Sequence, residues 1–210
     1  EVGFSPGIDL ADGDPEPERQ ALHQAYLRSI FSDGVYLTDG QGVLQWVEPY
    51  RRDLVGTSLY AYSHIQLALR QGRPVVSDVF VAERTGKASV AIVTPIRNSL
   101  GQTTGLVGGD IDITSRSLQE VIQPMRLGTT GSVEVVDSRG IVLAGTEPRH
   151  LLQSSDHADR LVLLIREVSP AVGTWAAPSG TKEVVAFAPL PAIPWGIAIR
   201  QAEGEALAPA

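Results

Sequence analysis

The sequence contains no cysteine and no long hydrophobic run. The missing cysteine excludes disulfide bonds, thiolate metal ligands and cysteine nucleophiles. The longest apolar runs, such as Val90–Val93 and Leu161–Ile165, fall far short of the roughly 20 residues that a membrane-spanning helix needs. Clustered positive charge is also missing. With 17 basic and 24 acidic residues the net charge is −7, which disfavours nucleic acid as a partner.

The composition is that of a folded globular protein. Of the 210 residues, 43% are apolar and 20% are charged, and these values argue against a disordered chain. The length is enough for one large domain or for two small ones, each with its own core.

Two pairs of segments repeat along the chain. GVYLTDGQGVL begins at Gly34, and SVEVVDSRGIV begins at Ser132, 98 residues later. Each pairs an alternating apolar strand with an Asp-x-x-Gly turn and a second strand, the pattern of a β-hairpin. In the second pair a glycine precedes, by nine residues, a proline that ends an apolar strand. The two prolines, Pro95 and Pro189, lie 94 residues apart. The chain is therefore predicted to contain two copies of one unit.

The fold class predicted from this repeat is α+β. Each unit is expected to form an antiparallel sheet of about five strands with flanking helices, and a helix from about Asp14 to Phe31 precedes the first. Between and after the hairpins, the spacing predicts helices over 58–70, 115–125 and 157–165 and strands over 74–81 and 173–177.

These motifs, in this order and spacing, resemble the double Cache sensor domains of bacterial chemoreceptors, histidine kinases and diguanylate cyclases, which are tandem PAS-like modules. The likeness covers roughly residues 18–202. It implies an N-terminal helical segment (1–33), a membrane-distal module (34–126), a membrane-proximal module (127–202) and a tail (203–210) toward a transmembrane helix. The segments that carry the likeness are GVYLTDGQGVL, the stretch 56–96, GQTTGLVGGDIDITSRSL, GTTGSVEVVDSRGIVLA and VVAFAPLPAIPWGIAIRQ.

The resemblance also implies a ligand site in the distal module, between the sheet and the helix above it. In related receptors that bind amino acids, an Asp at the place of Asp110 holds the ligand amine. Strand periodicity puts Asp110 and Asp112 on one face. Other readings stay open: the tyrosines as packing residues, His64 as a surface residue, and Asp110 as a solvated strand end or a helix cap. The implied ligand-binding residues are Tyr60, Tyr62, His64, Asp78, Phe80 and Asp110.

One departure from the family concerns the ligand carboxylate. Amino-acid-binding members carry an Arg-x-Trp-Tyr run on the helix, and the arginine grips that carboxylate. Here the stretch reads Ala61-Tyr62-Ser63-His64, and the Tyr and Asp of the next strand appear as Phe80 and Ala82. Without the guanidinium fork, the usual recognition of amino acids is not expected. The ligand is predicted to be an organic acid, an amine or another metabolite.

No catalytic motif is present in the sequence. None of its four histidines stands in a nucleophile elbow or an HExxH motif, and no phosphate-binding loop with its lysine occurs. We expect a domain that is not an enzyme and that holds no cofactor and no metal.

The expected function is that of an extracytoplasmic sensor. It would bind a small molecule in the distal module and pass the signal across the membrane to a kinase, chemotaxis or cyclase output. It would be the periplasmic or extracellular part of an inner-membrane protein, contacting the membrane only through transmembrane helices outside this chain. A homodimer is compatible with this role. The alternative is a dimerisation or protein-interaction module without a small ligand.

Overall fold

The computed structural model describes residues 16–83, 85–115, 122, 124–125 and 127–208. The chain forms two compact units, residues 1–112 and 113–210, which we call the first and the second module. Each contains one antiparallel sheet with helices, so the predicted α+β class is confirmed. Among the described residues, no helix is both long enough and apolar enough to cross a membrane.

The first module is a six-stranded sheet with α1 against one face and α2 against the other. The strands follow the order β2-β1-β6-β5-β3, and β4 also pairs with β5. Its elements are α1 (Glu16–Arg28), β1 (Gly34–Asp39), β2 (Leu44–Glu48), α2 (Ser63–Gln71), β3 (Val75–Val76), β4 (Phe80–Ala82), β5 (Lys87–Arg97) and β6 (Thr103–Asp112).

The second module repeats this plan with five strands in the order β8-β7-β11-β10-β9. The repeated order places β6 and β11 at the same position between their neighbours. Its elements are β7 (Ser132–Val136), β8 (Val142–Gly145), a 3-10 turn (Pro148–His150), α3 (Ala158–Glu167), β9 (Ala171–Ala176), β10 (Lys182–Leu190), β11 (Trp195–Ala202) and α4 (Glu203–Ala206).

The two hairpins that revealed the repeat have the same internal bonding. Oδ1 of Asp39 accepts hydrogen bonds from the backbone N–H groups two and four residues later, both at 2.9 Å. Oδ1 of Asp137 does the same at 2.9 and 3.0 Å. The turn glycines, Gly42 and Gly140, both have a φ of +78°. The aspartate and glycine of the motif therefore have the turn roles that the sequence predicted.

Two further positions of the repeat differ in a way that strains the second module. Gly56 and Gly72 have left-handed φ angles of +87° and +60°. The residues 96 positions further along are Leu152 and Val168, with φ of +63° and +49°. Glycine adopts this region freely, whereas a side chain, and above all a β-branched one, is strained there.

Apolar side chains fill the space on both faces of the first sheet. The cluster under α2 includes Tyr36, Ile65, Ala91 and Leu106. The cluster under α1 contains Leu22, Val35, Leu37 and Ile96. The core of the second module joins α3 to its sheet through Val136, Val142, Leu161, Ile165, Trp175, Val185, Phe187 and Ala198.

Several predicted boundaries were wrong. The predicted strand 74–81 is interrupted between β3 and β4, because Ser77 Oγ takes the place of a strand carbonyl and accepts the Ala91 N–H at 2.8 Å. The helix predicted over 58–70 begins only at Ser63, and α1 ends at Arg28 rather than at Phe31. Most of the helix predicted over 115–125 lies outside the described residues.

A carboxylate joins the beginning and the end of the second module. Glu205 of α4 accepts the backbone N–H groups of Thr129 and Thr130 at 2.7 and 2.8 Å. The Thr130 hydroxyl also donates to it. These bonds lower the pKa of Glu205 to about 2, with the backbone bond from Thr129 as the largest cause.

Candidate ligand site in the first module

Asp110 lies on the sheet face that α2 covers. Leu106 packs in the cluster under α2, and β6 alternates, so Gly108, Asp110 and Asp112 share this face. Both aspartates are buried, with 4% and 5% of their surface exposed. Their predicted common face is therefore confirmed. The interpretation of Asp110 as a solvated strand end is wrong.

Small neighbours flank Asp110 on both adjacent strands. Its register partners are Gly34 on β1 and Ala91 on β5. Glycine has no side chain and alanine has only a methyl group, so neither neighbour extends far above the sheet. The Asp110 carboxylate, in the middle of the sheet, is therefore flanked by small residues on both sides.

Tyr36 is a component of this region that the sequence reasoning missed. A Cβ added to Gly108 would lie 2.4 Å from the Tyr36 ring and 2.6 Å from its hydroxyl oxygen, so the ring lies directly on Gly108. Tyr36 and Gly108 are cross-strand partners. The hairpin and the glycine pair were both visible in the sequence, but only the register between β1 and β6 brings them together.

Three of the predicted residues form an aromatic cluster. The ring centroids of Tyr62 and His64 are 5.4 Å apart, those of Tyr62 and Phe80 are 5.2 Å apart, and those of His64 and Phe80 are 4.8 Å apart. The Tyr62 hydroxyl accepts the backbone N–H of Glu83 at 3.2 Å. The start of α2 is thereby tied to the end of β4.

His64 is buried, and burial lowers its pKa to about 4. The imidazole is therefore neutral at physiological pH, since desolvation disfavours its charged form. A neutral ring offers an apolar face and hydrogen-bonding nitrogens, but it does not supply a positive charge for an anion. The interpretation of His64 as a surface residue is wrong.

The other two predicted residues lie at the margin. Tyr60 is 46% exposed, and its backbone carbonyl accepts a hydrogen bond from Gln66 Nε2 at 2.8 Å. Asp78 lies in the interruption between β3 and β4 and is half-buried. Their ligand contact stays a prediction, as it does for the other four residues.

The end of β6 nearest Asp110 is acidic. Asp112 binds Lys87 Nζ at 2.9 Å, and this contact raises the lysine pKa. Oδ2 of Asp33 accepts the hydroxyls of Thr85 and Ser89 at 2.9 and 3.0 Å. The carboxylates of Asp112 and Asp33 thus both act on one exposed lysine, Lys87. Among the described residues, no group of three or more His, Cys, Asp or Glu side chains is arranged to hold a metal ion.

Comparison with known proteins assigns a family to this architecture. A family model described as a Cache domain matches residues 8–210. No curated protein sequence matches that of the chain.

Several solved structures share the fold. The ligand-binding domain of the Pseudomonas aeruginosa amino acid chemoreceptor PctB, in complex with L-Arg, has a TM-score of 0.68 at 20% identity, over 95% of this chain and 83% of that one. The PctC domain of the same organism, in complex with GABA, has a TM-score of 0.66 at 22% identity, over 92% and 83%. The ligand-binding domain of the Pseudomonas fluorescens chemoreceptor CtaA, in complex with L-leucine, has a TM-score of 0.67 at 20% identity, over 94% and 82%.

Proposed function

Since the chain belongs to the Cache domain family, we propose that it is the extracytoplasmic sensor domain of a membrane receptor and that its first module binds a small amine. The receptor would span an inner membrane through helices outside this chain, and this domain would be its periplasmic or extracellular part. Binding favours one arrangement of the domain, and the shift in population passes to a kinase, chemotaxis or cyclase output. The domain itself performs no catalysis.

The observation that carries the proposal is the buried carboxylate of Asp110 on the α2 face of the sheet. In a site shielded from water, an ammonium group interacts with a carboxylate more strongly than it does in water. The nearby rings of Tyr62 and Phe80 offer apolar and π faces to the rest of a ligand. The solved relatives support this choice, because L-Arg, L-leucine and GABA each carry an amine.

The same surroundings disfavour a ligand that depends on a carboxylate. Ala61 offers no guanidinium, His64 is neutral, and Lys87 is already held by Asp112. A ligand carboxylate would also be repelled by the carboxylate of Asp110. We therefore expect amines without a carboxylate to bind better than the corresponding amino acids and far better than organic acids.

A thermal-shift screen of amines, amino acids and organic acids tests the proposal, followed by calorimetry of the best amine. A ligand at 100 times its Kd stabilises the protein by about 2.7 kcal/mol. Asp110→Asn should weaken the binding of that amine at least tenfold, because a charge-assisted hydrogen bond is worth roughly 1.5–3 kcal/mol. The matched control is Asp53→Asn, which makes the same charge change at a side chain that is 62% exposed.

Two outcomes would count against this site. Organic acids that bind better than amines would contradict the charge argument. Equal affinities of Asp110→Asn and Asp53→Asn would remove Asp110 from the site.

A second candidate function is an interaction module without a small ligand. It is favoured by Leu27 and Ile30, which are 62% and 71% exposed at the end of α1 and just beyond it. Light scattering on the wild type and on Leu27→Glu distinguishes the roles. If the wild type is a dimer that Leu27→Glu dissociates, and the screen finds no ligand, the interaction role replaces the sensor role.

A further inference from the structure

The second module has a buried arginine at the position that Asp110 occupies in the first. Asp110 lies opposite Gly34 of β1 and Ala91 of β5. Arg200 of β11 lies opposite Ser132 of β7 and Val185 of β10, which follow those two residues by 98 and 94 positions. These are the two offsets of the sequence repeat. The charge at this place is therefore inverted between the modules.

The aromatic neighbour of this position also has a counterpart. Phe80 of β4 pairs with Ser89, and Trp175 of β9 pairs with Glu183, which follows Ser89 by 94 residues. The ring of His157 meets Trp175 edge-on, with centroids 5.3 Å apart, and the ring of His64 meets Phe80 at a tilt of 43°, with centroids 4.8 Å apart. The second module thus combines an aromatic ring, a histidine and a buried charge where the first module does.

A concavity of about 420 Å³ opens at this point, at the start of α3. That volume is within the range of sites for small molecules. Its lining includes Ser155, Asp156, His157, Asp159, Arg160 and Trp175.

The described groups beneath the concavity carry more negative than positive charge. Arg200 Nη1 binds Asp156 at 2.6 Å and lies 3.9 Å from Glu183, and its Nη2 lies 3.8 Å from Glu134. Nη2 also donates to Nδ1 of His150 at 2.9 Å, which requires that nitrogen to be unprotonated. One guanidinium thus faces three carboxylates.

The other groups around the concavity do not neutralise this excess of negative charge. At the rim, the charges of Asp159 and Arg160 cancel, and His157 Nε2 donates to Glu183 Oε2 at 2.9 Å. Glu134 Oε2 is buried and accepts no hydrogen bond from a described residue, although Oε1 accepts one from Ser155, which lines the concavity. Burial alone would raise the pKa of Asp156, but the hydrogen bond and charge of Arg200 outweigh it, so this carboxylate stays ionised.

Trp175 already holds a cation. The Arg160 guanidinium carbon lies 4.8 Å above the centre of the indole ring, within range of a cation–π interaction. Arg160 is exposed and extends from the first turn of α3, so it can leave the ring without unfolding the helix.

We propose that this concavity is a second binding site, independent of Asp110, for a small organic cation with an ammonium or guanidinium group. The cation replaces Arg160 over Trp175 and is held by the carboxylates of Asp156 and Asp159. Arg160 acts as an internal competitor for the site.

The test uses the whole domain and follows the indole N–H of Trp175 by ¹H–¹⁵N NMR during titration with methylguanidinium chloride. Trp175→Phe assigns this resonance among those of the three tryptophans. Sodium acetate and sodium chloride at the same ionic strength are the control titrations. We expect a saturable shift with methylguanidinium and none with acetate.

Removal of the internal competitor, Arg160, tests the proposal directly. Arg160→Gln should tighten methylguanidinium binding roughly threefold to thirtyfold, the range that a cation–π contact is worth. Arg166→Gln makes the same charge change on the same helix but away from the ring. It should tighten methylguanidinium binding less than twofold. Asp159→Asn should weaken binding, and Asp110→Asn should leave the Trp175 shift intact, which separates this site from that of the first module.

Three results would overturn the proposal. One is a Trp175 resonance that does not shift saturably in either the wild type or Arg160→Gln. Another is an acetate titration that reproduces the methylguanidinium shift. The third is an equal increase in methylguanidinium affinity in Arg160→Gln and Arg166→Gln, which would show a general effect of the net charge.

Discussion

Val168→Gly should stabilise the second module although it removes a side chain. Val168 caps α3 at a φ of +49°, in the left-handed region, at the position where the first module has Gly72. An L-residue is disfavoured there by about 1–2 kcal/mol. Glycine loses about 0.5–1 kcal/mol more conformational entropy on folding. Since Val168 is 55% exposed, little buried area is lost.

The net gain in the free energy of unfolding is therefore about 0.5–1 kcal/mol. A gain of that size raises Tm by roughly 2–8 °C if a module of this length unfolds independently. Urea denaturation followed by circular dichroism measures it, and an unchanged m-value confirms that the native state, and not the extent of unfolding, has changed.

A matched pair of variants isolates the backbone effect. Val172→Gly removes the same side chain from β9, where it is 79% exposed and φ is not positive, so it should destabilise by about 0.5–1 kcal/mol. Gly72→Val should destabilise the first module, because it creates the strain that Val168 has. If Val168→Gly is no more stable than Val172→Gly, the backbone at position 168 is not strained.

Two further predictions concern buried ionisable groups. The pKa of His64 is about 4 when folded and 6.5 when exposed, so the unfolded chain takes up the proton first and stability falls as the pH drops from 6.5 to 4, by up to about 3 kcal/mol. Denaturation curves of His64→Gln should lose this dependence, whereas the exposed His23→Gln should keep it. Arg200→Ala should cost about 3–5 kcal/mol, because it leaves Glu134 buried without its cation. Arg166→Ala in a parallel thermal melt should cost under about 0.5 kcal/mol, and a similar small loss for Arg200→Ala would show that its ion pairs contribute nothing.

The duplication was predictable from the sequence because its signals are local. An aspartate that bonds its own turn and a glycine at positive φ act within five residues, so Asp39 and Asp137 mark their hairpins without any knowledge of the fold. The shared face of Asp110 and Asp112 was predictable for the same reason, since it follows from strand periodicity alone.

Features that depend on long-range register were not predictable. The Tyr36 ring packs on Gly108, 72 residues away, through a pairing that no local pattern specifies. The interruption after Val76 depends on a hydrogen bond that Ser77 Oγ accepts from the Ala91 N–H of β5. Both features depend on a contact between a side chain and another strand.

The burial of Arg200 was also not predictable from the local sequence. The alternation Ile197-Ala198-Ile199-Arg200 resembles an ordinary strand with an exposed end. The residues that make burial of the charge tolerable, Ser132 and Asp156, lie 68 and 44 positions earlier. Only the sheet order reveals that the charge points inward.

The bonds of Glu205 have a mechanical consequence for the second module. They join the chain entering β7 to the chain leaving β11, and β11 lies between β7 and β10. Because β7 and β11 are antiparallel, the chain enters β7 and leaves β11 at the same end of this strand pair, so tension between the two chain ends must break the Glu205 bonds before it reaches the first rung, Arg200 opposite Ser132. Because Glu205 remains ionised down to about pH 2, these bonds persist in acid. The Glu205 bonds therefore couple a displacement of the chain after β11 directly to the chain before β7.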